Sequence, residues 1–241
     1  MIEVEGVTHM ANVAVITARG GSKRIPRKNV KNFLGRPIIE YSIEAALQSG
    51  VFDEVMVSTD DAEIAEIARK AGAKVPFLRS EKTADDHTTT YEVLDEVLQC
   101  YQEAGKQFDY MCCIYPTAPF ITKERLQEAM KVLEEKKADT VYPVVRFSFP
   151  PQRAVVKNKE GYMEFNKPEY ALTRSQDLEP WYHDAGQFYC VNIKEFWKQK
   201  KLIMKKTFGI ELDEMEVQDI DNQEDWEVAE VKYAMRHPKQ G

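Results

Sequence analysis

The chain has 241 residues, of which 43% are hydrophobic and 30% are charged, and it contains 11 glycines and 11 prolines. This composition is typical of a folded globular protein and excludes a disordered or low-complexity chain. The net charge of -7 argues against a general binder of nucleic acid or membrane surfaces, whose binding face would be basic. No apolar run reaches the roughly 18 to 20 residues that a membrane-spanning helix needs. The sequence therefore predicts neither a nucleic acid nor a membrane as a partner.

The first nine residues and the cysteines bear on the compartment. Residues 1–9 lack the apolar core of a signal peptide, and Met10 could be the natural start, so we expect residues 1–9 to be an added extension outside the fold. Buried, reduced thiols in a cytoplasmic protein are favoured over disulfides or metal ligation, because the cysteines show no zinc-binding spacing. The four cysteines are Cys100, Cys112, Cys113 and Cys190.

Hydrophobic periodicity predicts strands and helices in alternation up to Val145. The predicted strands are Val13–Thr17, Glu54–Ser58, Lys74–Leu78, Tyr110–Tyr115 and Thr140–Val145. The predicted helices begin after Pro37, cover Asp61–Ala71 and Tyr91–Ala104, and extend from a Thr122 cap to about Lys136. Such alternation predicts an α/β fold: a three-layer sandwich with a mostly parallel sheet and helices on both faces.

The pattern changes after Val145. Residues 146–186 are predicted to be an arm or insertion, with a hairpin near Lys157–Tyr162. The chain then returns to the sheet with a strand at Gln187–Asn192, a short strand at Glu216–Asp221 and a closing helix at Asn222–Arg236. Residues 10–241 are therefore expected to form a single domain that carries the arm.

A basic loop follows the first predicted strand. Gly20 and Gly21 lack side chains, so their backbone N–H groups could approach a phosphate, and neighbouring cations would balance its charge. The glycine spacing matches neither the dinucleotide-binding fingerprint nor the Walker loop. The loop indicates a small polyanionic ligand, with a solvated basic turn as the alternative. Its six basic residues, uninterrupted by any acid, are Arg19, Lys23, Arg24, Arg27, Lys28 and Lys31.

Two acids close to the C-terminus have the spacing of a metal site. Asp219 and Asp221 lie two positions apart on a predicted strand, which would place both carboxylates on one face, about 6.6 Å apart along the chain. Carboxylate oxygens suit Mg²⁺ bound to a triphosphate. On spacing alone, two exposed acids at a strand end are the favoured interpretation, because the surrounding stretch is acidic.

The basic loop resembles the signature of the acylneuraminate and related cytidylyltransferases, which make CMP-activated sugar acids from CTP. The resemblance extends from about Met10 to the last helix. It implies a nucleotide-binding α/β sandwich, a dimerisation arm, a homodimer and dependence on Mg²⁺ at Asp219 and Asp221. The further motifs that carry it, in chain order, are residues 58–60, Arg79 with residues 85–90, residues 115–119 and residues 219–221.

The resemblance also implies roles for individual nucleotide-binding residues. The catalytic charges would come from Arg19, Lys23 and Lys28. Lys28 and Asn29 would lie near phosphate and ribose, and Arg79 and Thr90 would hold the cytosine ring. The residues expected around the triphosphate are Arg19, Gly20, Gly21, Ser22 and Lys23.

The expected sugar-binding residues are Tyr115, Arg174, His183 and Gln187. Arg174 could pair with the sugar carboxylate through two parallel hydrogen bonds. Tyr115 replaces the glutamine, and His183 the arginine, that are common in sialic-acid enzymes; for His183 a structural role is equally open. Residues 175–179 and 182–188 resemble the branch of the family that acts on pseudaminic acid. The function implied is transfer of CMP from CTP to a nonulosonic acid with release of pyrophosphate, pseudaminic acid being favoured over N-acylneuraminic or legionaminic acid.

Two alternatives belong to other classes. One is an NAD-binding oxidoreductase with a variant loop, in which Asp60 or Asp61 would bind the ribose. The other is a nucleotide sensor without catalytic activity.

Overall fold

The computed structural model describes residues 10–85 and 88–238. The expected extension, residues 1–9, lies outside the described residues. Within them no helix is both long and apolar enough to cross a membrane. The strands are β1 (Asn12–Thr17), β2 (Asn32–Phe33), β3 (Arg36–Pro37), β4 (Glu54–Ser58), β5 (Tyr110–Ile114), β6 (Thr140–Arg146), β7 (Val155–Lys157), β8 (Met163–Phe165), β9 (Tyr182–Asp184), β10 (Phe188–Asn192) and β11 (Thr207–Leu212). The α-helices are α1 (Ile39–Ser49), α2 (Ala62–Lys70), α3 (Thr90–Glu103), α4 (Lys123–Glu135), α5 (Ile193–Gln199) and α6 (Gln223–Arg236).

A seven-stranded sheet forms the centre of the fold. Its strand order is β11-β6-β10-β5-β1-β4, with β9 paired to β6. β1 runs parallel to both β4 and β5, and β11 runs parallel to β6. β10 lies antiparallel between β5 and β6, and β9 is also antiparallel. The prediction of a mostly parallel sheet is confirmed.

Helices cover both faces of the sheet. Val13 and Val15 pack in one apolar cluster with α3 and α5, whereas Ala14 and Ile16 pack in another with α1, α2 and α4. This is the alternation expected of strands buried on both faces. The three-layer architecture is therefore as predicted.

The cysteines follow the same alternation. Cys112 belongs to one face and its neighbour Cys113 to the other. All four cysteines are free thiols; Cys112, Cys113 and Cys190 are buried, while Cys100 is half-buried.

Two predicted strands are wrong. Lys74–Leu78 contributes only an isolated bridge between Lys74 and Met56. Pro76 has no backbone N–H and cannot continue a ladder beyond that point. Residues 217–221 follow a short 3-10 turn at Glu214–Glu216 and form no strand. The strand beside β6 is instead β11, which pairs with it over six residues.

The arm contains a separate two-stranded ribbon. β7 and β8 pair only with each other among the described strands, and residues 182–184 return to the main sheet as β9. The predicted boundary at residue 186 therefore includes one strand of the main sheet. The arm exposes large apolar side chains, among them Phe149, at 87% exposure, and Leu172, at 98%.

A third apolar cluster fixes the basic loop to the last helix. It joins Ile25 and Phe33 to Ile220, Trp226 and Ala229. The Phe33 and Trp226 rings meet edge to face at 5.5 Å. This packing brings the chain just before α6 to the end of β1, where the candidate site lies.

Candidate active site

The basic loop borders a cleft of about 480 Å³ that lies where β1 and β5 end. The carboxyl ends of parallel strands are where α/β proteins bind their ligands, because the connecting loops diverge there. We call this space the loop cleft. Its lining residues are Thr17, Arg19, Ser22, Lys23, Arg24, Lys28, Asn29, Tyr115, Pro116 and Thr117.

A second space of about 240 Å³ adjoins the loop cleft and contains Arg79 and Thr90; we call it the Arg79 pocket. Thr17 and Arg19 line both spaces, so the two are contiguous. The Arg79 guanidinium donates to the Ser58 carbonyl at 2.8 Å and to the Ser58 hydroxyl at 3.2 Å. Burial lowers the pKa of Arg79. Thr90 is the first residue of α3, directly after its Thr89 cap.

The two glycines of the loop have different surroundings. The Gly20 N–H already donates to Asp60 Oδ1 at 3.0 Å. A Cβ at position 20 would lie 2.7 Å from Asp61 Oδ2, whereas a Cβ at position 21 would meet nothing within 4 Å. A side chain at position 20 would therefore displace the Asp61 carboxylate, whereas Gly21 faces open space.

Arg27 and Asn29 hold the loop in place. Arg27 has φ 55° and forms ion pairs with Asp61, at 2.5 Å, and with Glu63. The hydrogen bond from Arg27 lowers the pKa of Asp61 to about 2. Asn29 is buried and its amide donates to the Arg19 carbonyl at 2.8 Å. Arg27 is therefore a structural anchor, and Asn29 positions the backbone that carries Arg19.

Lys28 and Arg24 connect the loop to the predicted metal ligands. The Lys28 ammonium donates to the Ile220 carbonyl at 2.6 Å, between Asp219 and Asp221. Burial lowers the pKa of Lys28, although the two carboxylates act in the opposite direction. Arg24 pairs with Asp221 at 2.7 Å. The fold thus brings both acids to the basic loop without the strand that the sequence predicted.

Asp219 has the surroundings of a carboxylate that accepts a cation. Burial, and then the charge of Asp221, raise its pKa. A divalent cation would relieve both effects, since it favours the ionised form of its ligands. No cluster of three or more His, Cys, Asp or Glu side chains suited to a metal occurs in residues 10–85 and 88–238. Mg²⁺ is commonly bound by two carboxylates, with water and phosphate oxygens completing its coordination shell.

The four predicted sugar-binding residues are not brought together. Tyr115 lines the loop cleft, but Gln187 is 3% exposed and its amide donates to the Glu216 carbonyl at 2.7 Å. Arg174 is exposed on the arm, before the 3-10 turn at 175–177. His183 lies on β9 with its ring 4.9 Å from Phe147. Neither Arg174 nor His183 lines the loop cleft of its own chain.

Sequence reasoning missed two residues beside Tyr115. Tyr189 lies in β10 with its ring centroid 5.7 Å from that of Tyr115, and its hydroxyl donates to Asp184 at 2.6 Å. The signal in the sequence was their position: Asp184 lies within the run of residues 182–188, and Tyr189 directly follows it.

The fold and the two contiguous spaces define a nucleotide-binding α/β protein with a cationic loop at the end of its first strand. A family model described as Cytidylyltransferase matches residues 13–235. The chain belongs to this cytidylyltransferase family and is a nucleotidyltransferase. The oxidoreductase alternative is thereby excluded; Asp60 and Asp61, either of which would have bound the ribose, bond the Gly20 N–H and Arg27.

Curated relatives cover nearly the whole chain. A pseudaminic acid cytidylyltransferase of Campylobacter jejuni is 40% identical over 95% of this chain and 98% of its own length. A CMP-N,N'-diacetyllegionaminic acid synthase of Legionella pneumophila is 34% identical over 92% and 95%. An N-acylneuraminate cytidylyltransferase of Danio rerio is 35% identical over 91% of this chain and 50% of its own length.

Solved structures support the fold. A CMP:2-keto-3-deoxy-manno-octonic acid synthetase superimposes with a TM-score of 0.67 at 20% identity, covering 94% of this chain and 99% of that one. A 4-diphosphocytidyl-2C-methyl-D-erythritol synthase of Anaerococcus prevotii gives a TM-score of 0.65 at 16% identity, with coverages of 94% and 99%.

Proposed function

We propose that this protein transfers CMP from CTP to a nonulosonic acid, with pseudaminic acid as the preferred acceptor, and releases pyrophosphate. The observation that carries the proposal is the joining of the loop cleft to the Arg79 pocket, in a chain 40% identical to a pseudaminic acid cytidylyltransferase over 95% of its length. One space is lined by cations suited to a triphosphate, and the other is small and polar, as a pyrimidine ring requires.

CTP would lie across both spaces. Its triphosphate would contact Arg19, Ser22 and Lys23, which share the loop cleft. Its cytosine would enter the Arg79 pocket beside Thr90. Because Arg19 lines both spaces, it is suited to the phosphate nearest the nucleoside.

Asp219 and Asp221 fit a magnesium ion and would hold it beside the loop. Bound there, Mg²⁺ would neutralise phosphate charge and fix the triphosphate geometry. Lys28, which donates to the carbonyl between the two acids, would keep their chain segment against the cleft.

The chemistry requires no covalent enzyme intermediate. The anomeric hydroxyl of the sugar acid would attack the α-phosphorus of CTP in line and lose its proton to solvent, forming the new P–O bond as the bond to pyrophosphate breaks. The side chains of Arg19 and Lys23 would stabilise the negative charge that develops on the phosphate oxygens. Catalysis would come from positioning and electrostatic stabilisation.

We propose that the protein is a cytoplasmic homodimer formed through the arm. The exposed apolar side chains of Phe149, Tyr162 and Leu172 support an interface there, since such residues are costly to leave in water. Arg174 and His183 do not line their own chain's loop cleft, and a partner's cleft is where they would meet a sugar. Sedimentation of the wild type and of Leu172→Asp tests this: a monomeric wild type would refute the dimer.

The deciding experiment measures pyrophosphate release over a panel of nucleotides and nonulosonic acids. We expect CTP to be required, and kcat/KM for pseudaminic acid to exceed that for N-acetylneuraminic acid by at least about 10²-fold, as hydrogen-bonding pockets achieve. Equal rates, or preference for neuraminic or legionaminic acid, would refute the acceptor but leave the cytidylyl transfer standing. CTP binding without turnover of any nonulosonic acid would refute the proposed transfer to this class of acceptor.

A further inference from the structure

The segment that carries the two predicted metal ligands has no regular structure of its own. Residues 217–221 belong to neither a strand nor a helix, although they include Asp219 and Asp221. Side chains from other parts of the fold hydrogen-bond to the backbone of this segment and of the turn before it. The position of the two carboxylates therefore depends on a small number of hydrogen bonds from outside the segment.

Gln187 fastens the start of this segment. It is 3% exposed, and its amide donates to the Glu216 carbonyl at 2.7 Å. Glu216 is also buried, and its carboxylate accepts from Arg125 of α4 at 2.9 Å. The contact thus joins two parts of the interior that are themselves held in place.

The corner between β9 and β10, residues 185–187, belongs to the main sheet and lies beside Asp219. The Gln187 carbonyl accepts from the Tyr115 N–H at 2.8 Å, which ties the corner to the end of β5. A Cβ at position 186, where the chain has glycine, would lie 3.9 Å from Asp219 Cγ. The sheet therefore fixes the Gln187 donor close to one of the predicted metal ligands.

Two lysines donate to the same stretch of backbone. Lys232 of α6 donates to the Val217 carbonyl at 2.9 Å, and Lys28 donates to the Ile220 carbonyl at 2.6 Å. Replacing either lysine would also change the electrostatic potential at the two carboxylates. Gln187 is neutral, so its replacement changes the position of the segment without changing the charge around it.

We infer that Gln187 is a positioning residue for the magnesium site: by holding the Glu216 carbonyl, it keeps Asp219 and Asp221 at the loop cleft. The inference rests on the proposed magnesium site. Groups that orient metal ligands without touching the metal change metal affinity by about 10- to 100-fold when they are replaced. A glutamine acting in this way alters the response to Mg²⁺, whereas one that only fills the core alters stability alone.

The test replaces Gln187 by methionine, which has a similar length but cannot donate a hydrogen bond. Titration calorimetry measures the affinity for CTP with and without Mg²⁺, in the absence of a sugar acid, so that no transfer occurs. We expect the gain in CTP affinity that Mg²⁺ provides to fall about tenfold in Gln187→Met, with the affinity in the absence of metal within about twofold of the wild type. Hydrogen exchange of residues 214–221 in the metal-free protein should become about fivefold faster, as the loss of one hydrogen bond predicts.

Gln127→Met is the matched control. The Gln127 amide also donates to a backbone carbonyl at 2.8 Å, that of Ser49. This contact joins α4 to the end of α1 that leads into β4, on the side of the sheet opposite the loop cleft. We expect this variant to keep the wild-type gain from Mg²⁺ and the wild-type exchange of residues 214–221.

A wild-type gain from Mg²⁺ in Gln187→Met would overturn the inference, as would unchanged exchange of residues 214–221. If Gln187→Met does not fold, judged by its melting temperature, Lys232→Met decides instead. Releasing the Val217 carbonyl should reduce the gain, whereas the loss of a positive charge by itself would favour a cation, so an unchanged or larger gain would overturn the inference. Equal gains in the wild type and Asp219→Asn would refute the proposed magnesium site itself, which keeps the two failures distinct.

Discussion

Replacing Gly20 by alanine probes how the basic loop is held. The added Cβ would lie 2.7 Å from Asp61 Oδ2 and 3.1 Å from Asp61 Cβ, so Asp61 must move. Asp61 caps α2 by accepting from the Ile64 N–H at 3.0 Å, and losing a cap costs about 1 kcal/mol. Its ion pair with the partly exposed Arg27 adds about 0.2–1 kcal/mol. We therefore expect Gly20→Ala to lower the free energy of unfolding by about 1–2 kcal/mol.

The measurement is urea unfolding together with pyrophosphate release. Displacing the loop should also lower kcat/KM for CTP by at least about tenfold, because small misplacements of catalytic groups are costly. Gly21→Ala is the control: a Cβ there meets nothing within 4 Å, so its stability should equal or slightly exceed that of the wild type. If the two variants unfold at the same urea concentration, the contact between Gly20 and Asp61 does not shape the loop.

Three further outcomes are expected. Lys23→Ala should fold normally but lower turnover by about 10² or more, as the loss of a charge that stabilises a transition state does; near-normal pyrophosphate release would contradict this. Asp219→Asn and Asp221→Asn should each shift the magnesium titration of activity to higher concentration without unfolding the protein, and unchanged titrations would remove both from the metal site. Burial alone would raise the pKa of Glu54, but hydrogen bonds from Lys106, Tyr101 and Lys74 outweigh it and lower the pKa. Glu54 therefore stabilises the fold above its unfolded pKa of about 4.3, and this stability is lost as the pH falls through the lower folded value. Glu54→Gln should cost about 1–3 kcal/mol at pH 7 and flatten the acid dependence of urea unfolding; an unchanged pH profile would show that the carboxylate contributes nothing.

The sheet was largely predictable because its strands are buried on both faces, and such strands appear as continuous apolar runs. The sequence around Lys74–Leu78 has the same appearance, but Pro76 stops the ladder after one bridge. β11 was missed because an edge strand with Gly209 in it is neither continuously apolar nor clearly alternating. Whether such a segment pairs depends on its neighbour β6, which a local pattern does not contain.

The candidate site, like the sheet, was only partly predictable from the sequence. The cluster of cations could be read from the sequence, and the structure does assemble Arg19, Ser22 and Lys23 along one cleft. The sequence did not show which of these cations are already paired with an acid, because Asp61, the partner of Arg27, lies 34 residues away along the chain. Gln187 was expected in the sugar site for its place in a motif, yet its amide is bonded to the backbone at Glu216.

The arm is a loop whose two ends are fastened together. It leaves the sheet at the end of β6 and returns as β9, and three paired positions, Val144 with Asp184, Val145 with His183 and Arg146 with Tyr182, hold the two ends side by side. A change in length at the turn of residues 158–161 would therefore leave the paired ends of β6 and β9 in place. Insertions are best tolerated at such exposed turns. The turn is thus a suitable place for a fluorescent label, which would test the proposed association of two arms while the end of the sheet beside the loop cleft stays undisturbed.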